Sequence, residues 1–472
     1  MDEEYRRRSG DKIFRVPRVV PWRVVLKIVP RPKARAVSPL VLLYGFAAMI
    51  ALGTILLTLP VSTKTGEFTS PIDALFTATS AVCVTGLVVV DTGIYWSSFG
   101  QGVILALIQI GGFGFMTSAT LFLLALGRRI GLRERLLIAE SMGIGRLGSL
   151  VRLIIGIAVF TILIEMAGAA LFYLHFSVES PTGTAAWNSI FQAISAFNNA
   201  GFDLFGGFRS LSNYQGNTLV LLTTAALILL GGISLLVVVD LLRKRSLTRL
   251  TLDSKVVLSA TVSLLALGTM VILLTEFHDS DTLGALPVPQ KLLNAFFQSV
   301  TARTAGFSTI TVANLANYAL FFTMLLMFVG GASGSTAGGI KVNTFGMLVA
   351  TIWSTIRGKE HAGAFGREFS AQQTNRALSV VMLSLTLVSV VVFVLTVTEE
   401  FHFIDLLFET VSAFGTVGLS TGITPALSTA GKLVITATMF AGRLGPLALA
   451  LSLMQRQQPS AYRYPQEAVR IG

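Results

Sequence analysis

The chain has 472 residues, of which 53% are hydrophobic and only 13% are charged, and its net charge is +12 at neutral pH. Its mean hydropathy is +0.73. This composition excludes a set of soluble domains, whose surfaces need more charge, and many apolar runs of about 20 residues predict a membrane protein with several helical spans. The single cysteine, Cys83, excludes an intrachain disulfide, and the four histidines show no metal-ligand spacing.

The placement of the basic residues predicts the topology. Arginine and lysine crowd residues 1–38, 128–152, 243–255 and 357–376, whereas the connections between these segments carry few. Because basic loops stay on the cytoplasmic side, we predict a multi-pass protein of the cell membrane with both termini in the cytoplasm. Nucleic-acid binding is the competing interpretation of a basic tail. Topology and contact with anionic membrane lipids already account for the charge, so no nucleic-acid partner is expected.

Eight apolar runs follow one another along the chain, and each is long enough to cross a bilayer as a helix. They lie at residues 39–60, 99–126, 149–175, 216–242, 254–276, 318–355, 375–398 and 430–454. We therefore predict a basic cytoplasmic N-terminal tail (1–38), four repeats (39–126, 149–242, 254–355 and 375–454) and a cytoplasmic C-terminal tail (455–472).

A shorter segment lies between the two runs of each repeat. The four segments read FTATSAVCVTGL, FQAISAFNNAGF, FQSVTARTAGF and FETVSAFGTVGL, and their aligned glycines are Gly86, Gly201, Gly306 and Gly418. Each segment begins with a helix-like stretch too short to span and then turns polar, which is typical of a re-entrant element. The period of about 110 residues predicts an all-α membrane protein. Its eight transmembrane helices form four span–pore helix–span repeats around a central pore with fourfold pseudosymmetry.

The chemistry of these segments suits a cation. Glycine tolerates backbone dihedrals that other residues resist, so it lets carbonyl groups point into a narrow space. A ring of backbone carbonyls replaces the hydration shell of a potassium ion, and each short helix directs its partly negative C-terminal end at the pore. Four glycines that pack helices in another kind of transporter are the alternative interpretation.

These motifs resemble those of the KtrB/TrkH/HKT superfamily of potassium transporters over residues 38–455, and the KtrB branch, with eight spans, is a closer match than the TrkH branch, which carries two extra N-terminal spans. The resemblance implies four covalently linked copies of the span–pore helix–span motif of potassium channels. It also implies a potassium selectivity filter made of Val84, Thr85, Gly86, Asn199, Ala200, Gly201, Thr304, Ala305, Gly306, Thr416, Val417 and Gly418. In the plant HKT branch, serine at the first filter glycine accompanies sodium preference, so Gly86 favours potassium.

The sixth apolar run is interrupted by GGASGSTAGG, whose five glycines in ten residues disfavour a regular helix. A nucleotide-binding loop is one interpretation, but the GxxxxGK[ST] pattern is absent. The resemblance implies instead an intramembrane gate below the filter. It comprises Gly330, Gly331, Ser333, Gly334, Ser335, Thr336, Gly338 and Gly339, together with Arg443.

Two arginines stand close to these elements. Arg443 lies in the eighth apolar run, where a charge is costly unless it faces protein or water. We expect it either to pair with Glu409 or filter carbonyls, or to place a positive charge in the pore that limits cation flux. Arg303 precedes the third filter triplet, and the sequence assigns it no definite role beyond bracing the loop.

Three alternatives to a potassium pore subunit remain at this stage. A sodium-selective or mixed sodium/potassium member of the same superfamily is the nearest. A membrane enzyme lacks support, since no nucleophile–base pair or metal or nucleotide motif stands out. The potassium-binding subunit of an ATP-driven pump usually has ten spans. No cofactor is expected apart from the transported potassium ion.

The resemblance also implies partners. KtrB-like proteins work as homodimers on a cytoplasmic ring of nucleotide-binding, RCK-type (KtrA-like) regulatory subunits. The basic loops of this chain suit either docking to such a ring or contact with membrane lipids.

Overall fold

The structure is a computed structural model that describes residues 40–114, 117–118, 120–121, 124, 150–359 and 361–445. The predicted tails, the basic segment at 128–149 and the ends of the first and fourth predicted repeats lie outside the described residues. The described part consists of helices and one short β-hairpin.

Four groups of helices follow one another in the chain. The first contains α1 (Leu40–Thr58), α2 (Pro71–Val82), a single helical turn (Thr92–Tyr95) and α3 (Ser98–Phe113). The second contains α4 (Leu150–Glu179), α5 (Thr182–Phe197), α6 (Thr218–Gly232) and α7 (Leu235–Lys244). The third contains α8 (Leu252–Glu276), α9 (Val288–Thr301), α10 (Asn317–Met327) and α11 (Val342–Ile356). The antiparallel hairpin β1 (Gly363–Ala364) and β2 (Arg367–Glu368) precedes the fourth, which contains α12 (Ala371–Thr398), α13 (Phe403–Gly415) and α14 (Thr429–Leu444).

Helices α4, α8 and α12 are long and apolar enough to cross a membrane, and α6 with α7 forms a bent pair that also meets this description. Helices α1, α3, α10 and α11 are apolar but shorter. The prediction of a helical membrane protein is therefore confirmed, whereas eight spans in a fourfold repeat stay a prediction. The 93° bend between α6 and α7 was not predicted, because the sequence shows one continuous apolar run there.

The short helices α2, α5, α9 and α13 are the ones that the four aligned segments predict. They have 12, 16, 14 and 13 residues, too few to cross a bilayer. The phenylalanine that opens each aligned segment is fully buried: Phe76, Phe191, Phe297 and Phe408. These rings anchor the short helices inside the protein, since burial of a large apolar side chain contributes about 1.5–3 kcal/mol.

The first and fourth groups of helices are neighbours. One core cluster contains residues of α1, α2, α3 and α14. It includes Trp96, just before α3, and Met439 in α14. Lys432 at the start of α14 also pairs with Asp73 at the start of α2, with a nitrogen–oxygen distance of 2.8 Å. Other core clusters join the second group to the third and the third to the fourth, so the four groups surround a common centre.

Candidate functional site

The four aligned glycines form a closed ring, called here the glycine ring (Gly86, Gly201, Gly306 and Gly418). A β-carbon built on each glycine would lie closer than 3.0 Å to the carbonyl oxygen that precedes the next glycine in the ring. The pairs are Gly86 with Ala200, Gly201 with Ala305, Gly306 with Val417, and Gly418 with Thr85. No other residue type fits these positions, and the contacts bring one backbone carbonyl per loop to the ring.

The backbone conformation is the same in all four loops. The ring glycines have φ values of +90°, +71°, +81° and +93° in chain order. The residue two positions before each glycine also has a positive φ, although none is glycine: Val84, Asn199, Thr304 and Thr416. Positive φ in such residues costs about 1–3 kcal/mol each and persists only where the surroundings impose it. Four repetitions of the same strained pattern indicate a built site.

Hydroxyl groups at the ends of the short helices hold these loops. Ser80 and Ser412 each accept a hydrogen bond from the backbone nitrogen of their own ring glycine, at 3.1 Å. Ser195 and Thr301 each donate to the carbonyl of the phenylalanine that follows their own ring glycine, Phe202 and Phe307, at 2.6 Å. Our reading of the sequence missed these four residues. The signal was present, because every aligned segment contains a serine or threonine followed by alanine before its glycine.

The two ends of the ring differ chemically. At the end nearest the short helices lie Val84, Asn199, Thr304 and Thr416, so three groups of helices supply a polar side chain and the first supplies valine. The Asn199 amide donates to the Thr304 hydroxyl at 3.4 Å. The side-chain amide oxygen of Asn199 and the Thr416 hydroxyl are buried and have no hydrogen-bond partner among the described residues. These oxygens are available as cation ligands.

On the opposite side of the ring a cavity of about 410 Å³ opens, lined by the ring glycines and by polar residues that include Asp203 and Arg209. None of the residues that the structure describes form a group of three or more His, Cys, Asp or Glu side chains suited to a metal ion. The oxygens at the ring itself are backbone carbonyls, with the side-chain oxygens of Asn199 and Thr416 at its short-helix end, and a ring of carbonyls suits a monovalent cation.

The glycine-rich loop (residues 328–341) joins α10 to α11 and lies beneath the ring at its short-helix end. A β-carbon on Gly338 would contact the Thr416 hydroxyl, and one on Gly330 would lie 3.2 Å from Cγ2 of Thr304. A β-carbon on Gly339 would lie 3.3 Å from the Cα of Gly415. The interruption that the sequence predicts thus stands directly against the third and fourth loops.

The second group of helices also holds this loop. The backbone nitrogen of Ala332 donates to the Gly232 carbonyl at 2.9 Å, and that of Thr336 donates to the Gly231 carbonyl at 3.3 Å. These carbonyls are free for the loop because α6 ends at Gly232, where the chain bends by 93° into α7. The unpredicted bend therefore supplies two acceptors to the glycine-rich loop.

Arg443 connects the loop to the first group of helices. Its guanidinium donates to the carbonyl of Thr336 in the loop and to the carbonyl of Gly111 in α3. The alternative pairing with Glu409 is wrong, because that carboxylate accepts hydrogen bonds from Ser420 and Thr424 behind the fourth loop. Arg443 does pair with carbonyls, but these belong to the glycine-rich loop and to α3 rather than to the triplets that the sequence predicts as a filter.

Other residues around the loop complete the site. Lys341 donates to the Ala337 carbonyl within the loop, and the Ser333 nitrogen donates to the Asn343 side chain at 2.9 Å. Gly331 lies against Gly232 and Ala337, Ser335 donates its backbone nitrogen to Ala332, and Gly334 has a positive φ of +75°. The arrangement is a ring of carbonyls with a cavity on one side and a tethered loop on the other.

Comparisons with known proteins show the family to which the chain belongs. The family model of TrkH cation transport proteins matches residues 41–463. The Ktr system potassium uptake protein B of Bacillus subtilis is 41% identical over 438 residues, which cover 93% of this chain and 97% of the relative. The potassium/sodium uptake protein NtpJ of Enterococcus hirae is 40% identical and covers 95% of this chain and 100% of the relative.

A solved structure supports the fold. The crystal structure of the potassium transporter TrkH from Vibrio parahaemolyticus matches with a TM-score of 0.69 at 18% identity, over 92% of this chain and 88% of that one. The match of the family model and the two relatives extends over nearly the whole chain. This chain is therefore a member of the TrkH family of cation transport proteins.

Proposed function

We propose that this chain is the pore-forming subunit of a potassium uptake system in the cell membrane. The observation that carries the proposal is the closed glycine ring, which brings one backbone carbonyl from each of four loops to a common centre. The family is a cation transporter family, and a relative 41% identical over most of the chain is named for potassium uptake. A carbonyl ring of this kind selects a partly dehydrated monovalent cation.

In this proposal the chain has eight spans in four span–pore helix–span repeats, with both termini in the cytoplasm. The shorter apolar helices α1 and α3 then belong to the first and second spans, and α10 and α11 together belong to the sixth. The cavity lined by Asp203 faces the outside, and the glycine-rich loop faces the cytoplasm. The basic segments at 243–255 and 357–376 support this orientation, because Asp253 accepts a hydrogen bond from Asn343 just after the loop and Lys255 lies over the ring of Phe365.

The twelve residues of the four filter triplets bind potassium through their backbone carbonyls. The glycine-rich loop, with Arg443, closes the path on the cytoplasmic side. This closing role is supported by the loop's contacts with the second, third and fourth groups of helices and by its link through Arg443 to the first. The path opens only when these hydrogen bonds break. We therefore expect opening to be controlled by a signal from a component beyond the membrane-embedded chain.

That signal is proposed to come from a second subunit. The name of the Bacillus relative describes a Ktr system, and a system has more than one component. We propose a homodimer of this chain on a cytoplasmic ring of RCK-type regulatory subunits that bind the nucleotide. Copurification of this chain with such a subunit, with and without ATP or ADP, tests the association.

A mixed potassium/sodium transporter is the second candidate. The relative NtpJ, 40% identical over the whole of its own length, is named as a potassium/sodium uptake protein. The valine at position 84 in the otherwise polar short-helix end of the ring makes this filter uneven, which favours a looser selection between the two ions. Glycine at position 86 favours potassium.

Uptake of potassium and sodium into liposomes containing the purified chain tests the proposal. We expect potassium to enter and to compete with radiolabelled rubidium at concentrations at which sodium does not. The same chain without residues 332–337 should carry more potassium at an unchanged ion preference. Equal competition by both ions would favour the mixed transporter. If neither the full chain nor the shortened chain takes up potassium or sodium, the result contradicts a cation pore.

A further inference from the structure

The third filter segment differs from the other three in length. Five residues separate Ser80 from Gly86, and the same number separates the hydroxyl residue from the ring glycine in the second and fourth segments. Only four residues separate Thr301 from Gly306. Arg303 stands in this shortened stretch, directly before Thr304. The third junction between short helix and filter is therefore built differently, although its glycine keeps its place in the ring.

In the other three segments the junction packs against a glycine of the following helix. The carbonyl of Val82 lies against Gly111, and a β-carbon on that glycine would come closer than 3.0 Å to the oxygen. The carbonyls of Phe197 and Phe414 meet Gly231 and Gly442 in the same way. These three contacts hold each filter segment against the helix that follows it.

Gly330 holds the corresponding position in the third group, since it follows Gly306 by the same number of residues as Gly442 follows Gly418. It is the first glycine of the glycine-rich loop, and no helix continues there. The junction carbonyl does not meet it. Instead, Nη2 of Arg303 donates to the Gly330 carbonyl at 3.3 Å and to the Thr261 hydroxyl of α8 at 3.5 Å.

The charge of Arg303 makes this contact consequential. The side chain is buried, with only 6% of its surface exposed, and it takes part in none of the ion pairs among the described residues. Its Nε has no partner in the described part of the chain. A buried cation that meets only neutral oxygens depends strongly on each of them, because a charge-assisted hydrogen bond gains strength in a low dielectric. Moving Gly330 away removes one of two acceptors.

We propose that Arg303 is a positioning residue that ties the first glycine of the glycine-rich loop to the third filter segment and so holds the loop against the ring. It replaces, with a breakable hydrogen bond, the close packing that the other three segments have at this place. The consequence for gating rests on the proposed function, but the tie itself does not.

Thiol labelling tests the tie without any ion flux. Cysteine is introduced at Ala337, a loop position with 2% of its surface exposed. The native Cys83 is fully buried, so the parent chain serves as the unlabelled blank. In Arg303→Met, which removes the donor, a water-soluble maleimide should modify this cysteine about tenfold faster than in the Ala337→Cys chain, the change expected for loss of a charged hydrogen bond. Arg303→Lys, which keeps a charged donor, should restore most of the slow rate.

Thr261→Val is the matched control, because it removes the other acceptor of Arg303 and leaves the Gly330 contact. Its labelling rate should equal that of the Ala337→Cys chain. Arg303→Gln keeps a neutral donor and is made in parallel, so that the test survives if the methionine variant fails to fold; its rate should fall between those of the lysine and methionine variants. Unchanged labelling in both the methionine and glutamine variants, or equal loosening by Thr261→Val, would overturn the tie.

Potassium flux in liposomes then tests the link to gating. Arg303→Met should raise the basal flux about tenfold with the potassium-over-sodium preference kept. In the chain without residues 332–337 the same substitution should change nothing further. A loss of ion preference, or an equal rise of flux in both backgrounds, would show that Arg303 acts on the filter and not through the loop. If the parent chain carries no potassium, the proposed function fails while the labelling result still decides the tie.

Discussion

Gly86→Ala places a methyl group where the glycine ring has no room. The new β-carbon would lie 2.5 Å from the Ala200 carbonyl oxygen, and ordinary contacts begin at 3.4 Å, so the first and second loops must separate by about 0.9 Å. Both the Ala200 oxygen and the nearby Cα of Gly201 are backbone atoms, so no rotamer change relieves the clash. The φ of +90° adds a backbone cost of about 1–2 kcal/mol for any residue with a side chain.

Two other glycines separate the crowding from the backbone cost. Gly66 and Gly422 have φ values of +72° and +95°, which bracket that of Gly86, and a β-carbon on either would meet nothing within 4 Å. Gly66→Ala and Gly422→Ala therefore carry the same conformational penalty without the clash. All three variants should lose about 1–2 kcal/mol of stability to the backbone, and only Gly86→Ala should disturb the ring.

The assay is competition by potassium and sodium for rubidium uptake into liposomes, with thermal unfolding measured on the same preparations. We expect Gly86→Ala to lose its preference for potassium at least about tenfold, which corresponds to about 1.4 kcal/mol of ion binding. The two control variants should keep the preference within about twofold. An unchanged preference in Gly86→Ala, or an equal loss in Gly66→Ala, would refute the assignment of the carbonyl ring as the filter.

Three further substitutions test the surroundings of the ring. Arg443→Gln removes the charge that donates to the Thr336 carbonyl, and it should raise basal potassium flux about tenfold in the same uptake assay; a lower flux would contradict a closing role. Glu409→Ala removes the acceptor of two hydroxyl groups behind the fourth loop and should cost about 1–3 kcal/mol in thermal unfolding, whereas Glu409→Gln, which keeps one acceptor oxygen, should cost less; equal losses would argue against this role. Lys432→Met should cost about 1 kcal/mol because it breaks the pair with Asp73, and the double charge swap Asp73→Lys with Lys432→Asp should recover part of the loss; no recovery would mean that the pair contributes nothing.

Much of the site could be predicted from the sequence because its parts are local and repeated. A glycine at the same place in four segments identifies Gly86 and its three counterparts without any knowledge of their contacts. The phenylalanine that opens each segment recurs at the same place in all four, and it is buried in every case. The interruption at Gly330 is equally visible, since five glycines in ten residues disfavour a helix wherever they stand.

The tertiary structure decided which parts meet. Nothing in the residues around Gly418 shows that it packs on the Thr85 carbonyl and so closes the ring from the last repeat to the first. The guanidinium of Arg443 was expected near carbonyls, but only the fold shows that they belong to Thr336 and Gly111. The break after Gly232 was invisible in a continuous apolar run, although it frees the carbonyls that hold the glycine-rich loop.

The physical reason is the same in each case. Repetition, hydropathy and glycine content are properties of residue types, and they are written along the chain. The contacts that form the ring and tether the loop are made by backbone carbonyls, and every residue carries the same carbonyl. No residue type marks the Gly330 oxygen as the acceptor of Arg303, so only the packing of distant segments could select it.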